Sequence, residues 1–136
     1  MRKNFLIAFI LCTIVTLVSC ESYDGDWDPM EWKTSVKVHK NKKGEKSIVV
    51  PPEGGTFVFH CKNYECFWIG NILVNGEGVF NHEGDFHTCQ GDWGSVECKM
   101  NKLTVKVSPA TTKNNDVIGV SITAGDIWDF FQFERK

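Results

Sequence analysis

The stretch VIGVSITAGDIWDFFQFE, residues 117–134, decides how the chain folds. Its β-branched and aromatic residues fall into two short segments, Val117 to Ala124 and Ile127 to Glu134. Between them stands Gly125-Asp126, a pair that suits a two-residue hairpin because it tolerates positive φ. Two adjacent antiparallel strands are therefore expected. Working backward, the same pattern marks Leu103 to Ser108, Ser95 to Lys99, Phe86 to Gln90, Gly78 to His82, Cys66 to Val74, Thr56 to Lys62, Ser47 to Val50 and Ser35 to His39. The breaks carry turn chemistry: Asn41-Lys42-Lys43-Gly44, Pro51-Pro52-Glu53-Gly54-Gly55 and Asn75-Gly76. No segment repeats its apolar residues every three to four positions, as an amphipathic helix would. Short strands at this spacing predict an all-β fold, an antiparallel β-sandwich over residues 34–136.

Ahead of that domain, Arg2 and Lys3 precede an uncharged run from Phe5 to Val18, 14 residues long. A membrane-spanning helix takes about 20 apolar residues, so this run is too short to cross, and a basic start before an apolar core describes a secretory signal peptide. Leu17-Val18-Ser19-Cys20 resembles the lipobox of bacterial lipoproteins, in which the cysteine becomes the lipidated N-terminus. The expectation is a signal peptide over 1–19, lipidation at Cys20, and an acidic tether over 20–33 built on Glu21, Asp24, Asp26 and Asp28. That tether resembles the acidic signal that sends some lipoproteins of diderm bacteria outward, which implies an outer-membrane, surface-exposed location with the lipid as membrane partner. Asp24, Asp26 and Asp28 also open like a calcium loop. Pro29 then stands where the loop needs glycine, and Ser35 where it needs glutamate.

The formal net charge is −2, and loss of residues 1–19 would leave 13 cations against 17 anions. That balance excludes a nucleic-acid partner as the expected one. The basic stretch Lys37 to Lys46 reads as a solvated hairpin, with a polyanionic glycan as the alternative.

Gly54-Gly55-Thr56-Phe57-Val58-Phe59, then Trp68, then Leu103 to Pro109, Ile118 to Ile122 and a closing strand with Gln132 resemble the BACON family of Ig-like domains, over Val49 to Phe133. The resemblance implies an exported Ig-like antiparallel β-sandwich that binds carbohydrate or mucin, or acts as a spacer beside glycan-processing enzymes. The chain departs from the family by a cysteine-bearing insertion over residues 75–100.

With Cys12 in the signal and Cys20 lipidated, Cys61, Cys66, Cys89 and Cys98 remain. An even number in an oxidising compartment favours disulfides, and short polar connections favour Cys61 with Cys66 and Cys89 with Cys98. The competing reading joins Cys61 and Cys66 to His82 and His87 at near zinc-finger spacing. Asn81 to Asp85 is turn-forming where a finger needs helix, so no metal and no cofactor are expected. There is no nucleophile elbow or phosphate-cradling glycine loop, and Glu77, Glu83, Asp85 and Asp92 read as solvated loop charges, so a non-catalytic protein is expected.

Five tryptophans remain. Trp68 and Trp128, on strands, are expected in the core, and Trp27 and Trp32 beside the tether are expected to fold back on the end of the domain. Trp93, bracketed by Gly91 and Gly94, is expected at the surface, with Asp92 and Gln90 beside it as ligand-binding partners. The function expected is a lipid-anchored, cell-surface module that binds glycan or adheres; the alternative is a protein-binding lipoprotein, an inhibitor or an assembly subunit. A glycan binder should present exposed aromatics with amide or carboxylate neighbours, a protein binder a broad apolar patch.

Overall fold

Period-two alternation sets the long strands. The computed structural model describes residues 27–81, 83–110 and 117–135; the expected signal peptide, Cys20, the first part of the expected tether and His82 lie outside them. In chain order the strands are β1 (Trp32–Lys33), β2 (His39–Lys40), β3 (Lys46–Val50), β4 (Gly55–Cys61), β5 (Trp68–Val74), β6 (Glu77–Gly78), β7 (Thr88–Gly91), β8 (Gly94–Lys99), β9 (Lys102–Val107), β10 (Val117–Ala124) and β11 (Ile127–Arg135), and the described residues contain no helix. A five-stranded sheet, β1-β4-β9-β8-β7, packs on a six-stranded sheet, β2-β3-β11-β10-β5-β6, as an Ig-like β-sandwich.

The opening hairpin forms as its residues dictate. Val117 pairs with Glu134 and Ala124 with Ile127, and Gly125 takes φ 69° at the turn. Positive φ at the first central residue matches a turn whose twist suits the strands. One pairing departs from the antiparallel expectation: β3 lies parallel to β11, from Lys46 opposite Phe131 to Val50 opposite Arg135. The reason lies in the connection. After β3 the chain crosses at Pro51-Pro52 into the other sheet, so no hairpin links β3 to β11 and nothing imposes the antiparallel sense.

Inward positions fill the interior with Phe59, Leu103, Val105, Val96 and Val107 from one sheet, and Ile48, Ile72, Ile118, Val120, Ile122, Phe131 and Phe133 from the other. Phe59 and Phe131 meet across the sheets at 4.7 Å between ring centroids.

Trp32 closes one end. Its ring stands edge-on to Phe67 at 5.3 Å and to Phe131 at 5.2 Å, and its indole N–H donates to Asp129 Oδ2 at 2.7 Å. Asp129 also accepts from Lys46 Nζ at 2.6 and 2.8 Å, and the ammonium lies 5.4 Å from the Phe131 centroid. Trp32 thus folds back as expected, and Met30 beside it is buried. The sandwich therefore begins before residue 34: β1 pairs Trp32 with Cys61 and Lys33 with His60, a strand hidden in the sequence by its acidic surroundings.

Candidate functional site

Along β11 the inward residues are Asp129, Phe131 and Phe133, so Trp128, Phe130, Gln132 and Glu134 fall on the outer face of the six-stranded sheet. Trp128 pairs with Thr123 on β10, and Thr123 pairs with Trp68 on β5, which puts two indoles in one row across three strands. Trp128 is 59% exposed and Trp68 37%, while Thr123 between them is 3% exposed. Both tryptophans were expected in the core, and the register overturns that. Inward neighbours Ile69, Ile122 and Phe131 fill the interior, and the opposite parity goes to solvent.

Two glycines shape this face. A Cβ on Gly70 would meet Trp128 at 2.1 Å from Cζ3 and 2.8 Å from Cη2. Gly70 lies on β5, two strands from Trp128, a span of roughly 9–10 Å at ordinary strand spacing. An indole standing upright from β11 does not reach that far, so the ring extends along the sheet over β10 and rests its outer edge on bare backbone. Gly70 is the extra residue where β5 slips register, Ile69 facing Ile122 and Asn71 facing Ser121. On the next row but one, the Phe130 ring lies 3.0 Å from where a Cβ of Gly119 would stand. The outer face thus carries two rings leaning along the sheet, each over a glycine.

Polar groups stand beside the rings. Ser121 and Asn71 share a row with Phe130; Gln132 and Glu134 continue β11, the Gln132 amide donating to the Glu134 carboxylate. The Asn71 amide oxygen accepts from the Ile72 N–H at 2.9 Å, which leaves its NH₂ directed away from that bond.

The residues singled out from sequence lie elsewhere. Gln90, Asp92 and Trp93 sit at the tip of the β7–β8 hairpin, in the other sheet, where Gly91 pairs with Gly94. Asp92 and Gln90 are exposed, but Trp93 is half-buried and packs against the core, its Nε1 2.6 Å from where a Cβ of Gly91 would stand. The bracketing glycine that suggested display lets the ring fold down instead. Structure therefore brings together Trp68, Trp128 and Phe130, and does not place Trp93 with them. The signal for these residues was present, since Trp128, Phe130, Gln132 and Glu134 share one parity of β11.

The four cysteines among the described residues are free thiols, and neither the expected Cys61–Cys66 nor the expected Cys89–Cys98 link is present. In the hairpin Cys89 faces Val96, while Cys98 donates its N–H to His87 O, which makes Cys89 and Cys98 diagonal neighbours. Diagonal Cα atoms lie about 7–8 Å apart, at or beyond the disulfide limit of about 7 Å. Cys61 is buried with its thiol donating to Asn63 Oδ1 at 3.4 Å, whereas Cys66 is exposed. Burial, with the Glu97 charge adding to it, pushes the Cys98 thiol up to about 12, which keeps it protonated. Asp85 caps its own turn, accepting from the His87 N–H at 2.8 Å and the Thr88 hydroxyl at 3.0 Å. Those bonds hold its carboxyl below the ordinary value, the His87 N–H contributing most.

An all-β sandwich with aromatic rings on its outer face is the class defined by this geometry. A solved structure of similar shape is the NMR structure of a protein from Bacteroides thetaiotaomicron, with 32% identity, a TM-score of 0.67 and coverage of 84% of this chain and 92% of that one. The chain belongs to the same family as that Bacteroides protein. No family model matches the chain, and no curated protein does.

Proposed function

We propose that the protein is a lipid-anchored, cell-surface binding module that takes carbohydrate on the outer face of its six-stranded sheet and performs no chemistry. The observation that carries this reading is Trp128, laid over Gly70 with more than half its surface open and in line with Trp68. An indole whose edge is held against backbone keeps ring surface open for a ligand, and it loses little freedom when that ligand stacks. The C–H face of a pyranose is apolar and planar enough to stack there, with hydroxyls reaching Asn71, Ser121 and Gln132. Export and the anchor rest on residues 1–20, in particular Cys20, and the resemblance to BACON domains supports the same assignment.

The protein-binding alternative has one observation in its favour. Val49 and Val117 are exposed on the same outer face, on either side of Glu134, and widen its apolar area. A glycan array probed with the chain from Glu21 onward separates the two. Stacking on an aromatic side chain contributes about 1–3 kcal/mol, so Trp128→Ala should weaken binding to array-selected glycans about tenfold or more. It should leave the thermal midpoint nearly unchanged, because the ring is surface. An array without hits, together with co-purification of one cell-surface protein that Trp128→Ala releases, would instead assign this face to a protein partner.

A further inference from the structure

The second feature lies at the end closed by Trp32. Between the segment 34–40 and the core is a cleft of about 660 Å³, within the range of small-molecule sites. Half-buried Trp32, Val36 and Val38 form its apolar walls, and Lys40, Lys46 and Lys62 line it with Glu31 as the one lining carboxylate.

The charges there are unevenly matched. Asp129 spends both carboxylate oxygens on Lys46 and gives one of them also to the Trp32 indole. Lys40 stands directly opposite Lys46 on β2, and like charges facing each other across a strand pair are unfavourable. Asp129 neutralises only one of that pair. Neither Lys40 nor Lys62 has an ion-pair partner among the described residues. The basic run Lys37 to Lys46 thus delivers one unpaired ammonium group, Lys40, to a cleft of mixed lining, and Lys62 just after β4 adds a second, on a chain whose net charge is negative.

We infer that this cleft binds a small amphipathic anion, its apolar body against Trp32, Val36 and Val38 and its carboxylate or sulfonate at Lys40 and Lys62. The site is separate from the aromatic outer face and stands without it. It brings a counter-charge to Lys40, the member of the facing lysine pair that Asp129 leaves unpaired.

The test is a titration of the full ¹⁵N-labelled chain, read at the Trp32 indole N–H, whose bond to Asp129 marks the cleft wall. Naphthalene-2-sulfonate is compared with uncharged 2-naphthalenemethanol, and octanoate distinguishes an acyl source of the same chemistry from an aryl one. Both anions should shift the Trp32 resonance at lower concentration than the alcohol. The double substitution Lys40→Gln and Lys62→Gln should weaken the anions about tenfold, in keeping with two exposed charge contacts acting together, and leave the alcohol where it was. Equal response to sulfonate and alcohol, anion binding indifferent to the two lysines, or shifts confined to Trp68 and Trp128 would overturn the assignment.

Discussion

Replacing Phe131 with alanine is expected to destabilise the fold by about 3–5 kcal/mol, the range for deleting a buried aromatic ring. Phe131 is fully buried and stands where the two sheets, the end cap and the ion pair meet. Phe59 packs on it from the opposite sheet at 4.7 Å, Trp32 from the end at 5.2 Å, and the Lys46 ammonium lies 5.4 Å from its centroid. Strand backbones on both sides restrict collapse, so the cavity should stay largely open and place the cost toward the upper end. Urea unfolding followed by tryptophan fluorescence measures it. A loss under about 1 kcal/mol would mean that the rings around Phe131 do not share one packed core.

Asp129→Ala is expected to cost nearly as much, by a different route. Asp129 and Lys46 have side chains only 15% and 14% exposed, and removing the carboxylate leaves a partly buried ammonium and the Trp32 indole N–H without their acceptor. Breaking a buried pair from one side costs about 3–5 kcal/mol, most of it the uncompensated charge. Asp129→Leu combined with Lys46→Met removes both charges and should recover much of the loss, since an apolar pair of similar volume is often neutral or better. Should the double variant be no more stable than Asp129→Ala, the pair is not what sets the energetics of this end.

Much of the sandwich was legible because alternation and turn residues coincide. The strands expected over Val117 to Ala124 and Ile127 to Glu134 appear as Val117–Ala124 and Ile127–Arg135, with Gly125 at positive φ between them. What failed were matters of partnership. β1 has two residues and no apolar run, and it exists because Trp32 pairs across to Cys61 and packs on Phe67 and Phe131. For Trp68 and Trp128, Phe67-Trp68-Ile69 and Ile127-Trp128 are apolar at both parities, so only the register with β10 decides which residue points in. Trp93 shows the converse: with no apolar sequence neighbours it still packs on the core, because the hairpin carries it there. The cysteine pairing depended on a one-step diagonal that spacing does not reveal.

If the indole leaning over Gly70 is the binding surface, Gly70 allows it to be tested without touching an aromatic residue. A valine there puts its Cβ where Trp128 now lies, at 2.1 Å from Cζ3, so the ring must lift. Valine suits a strand, and the Gly70 backbone lies outside the positive-φ region, so the sandwich itself should tolerate the change. Calorimetric titration of Gly70→Val with an array-selected glycan should give a thermal midpoint close to that of the parent and an affinity lower by about tenfold, the loss of one stacked ring. Parent-like affinity in a Gly70→Val protein whose Trp128 has been displaced would contradict the assignment of this face.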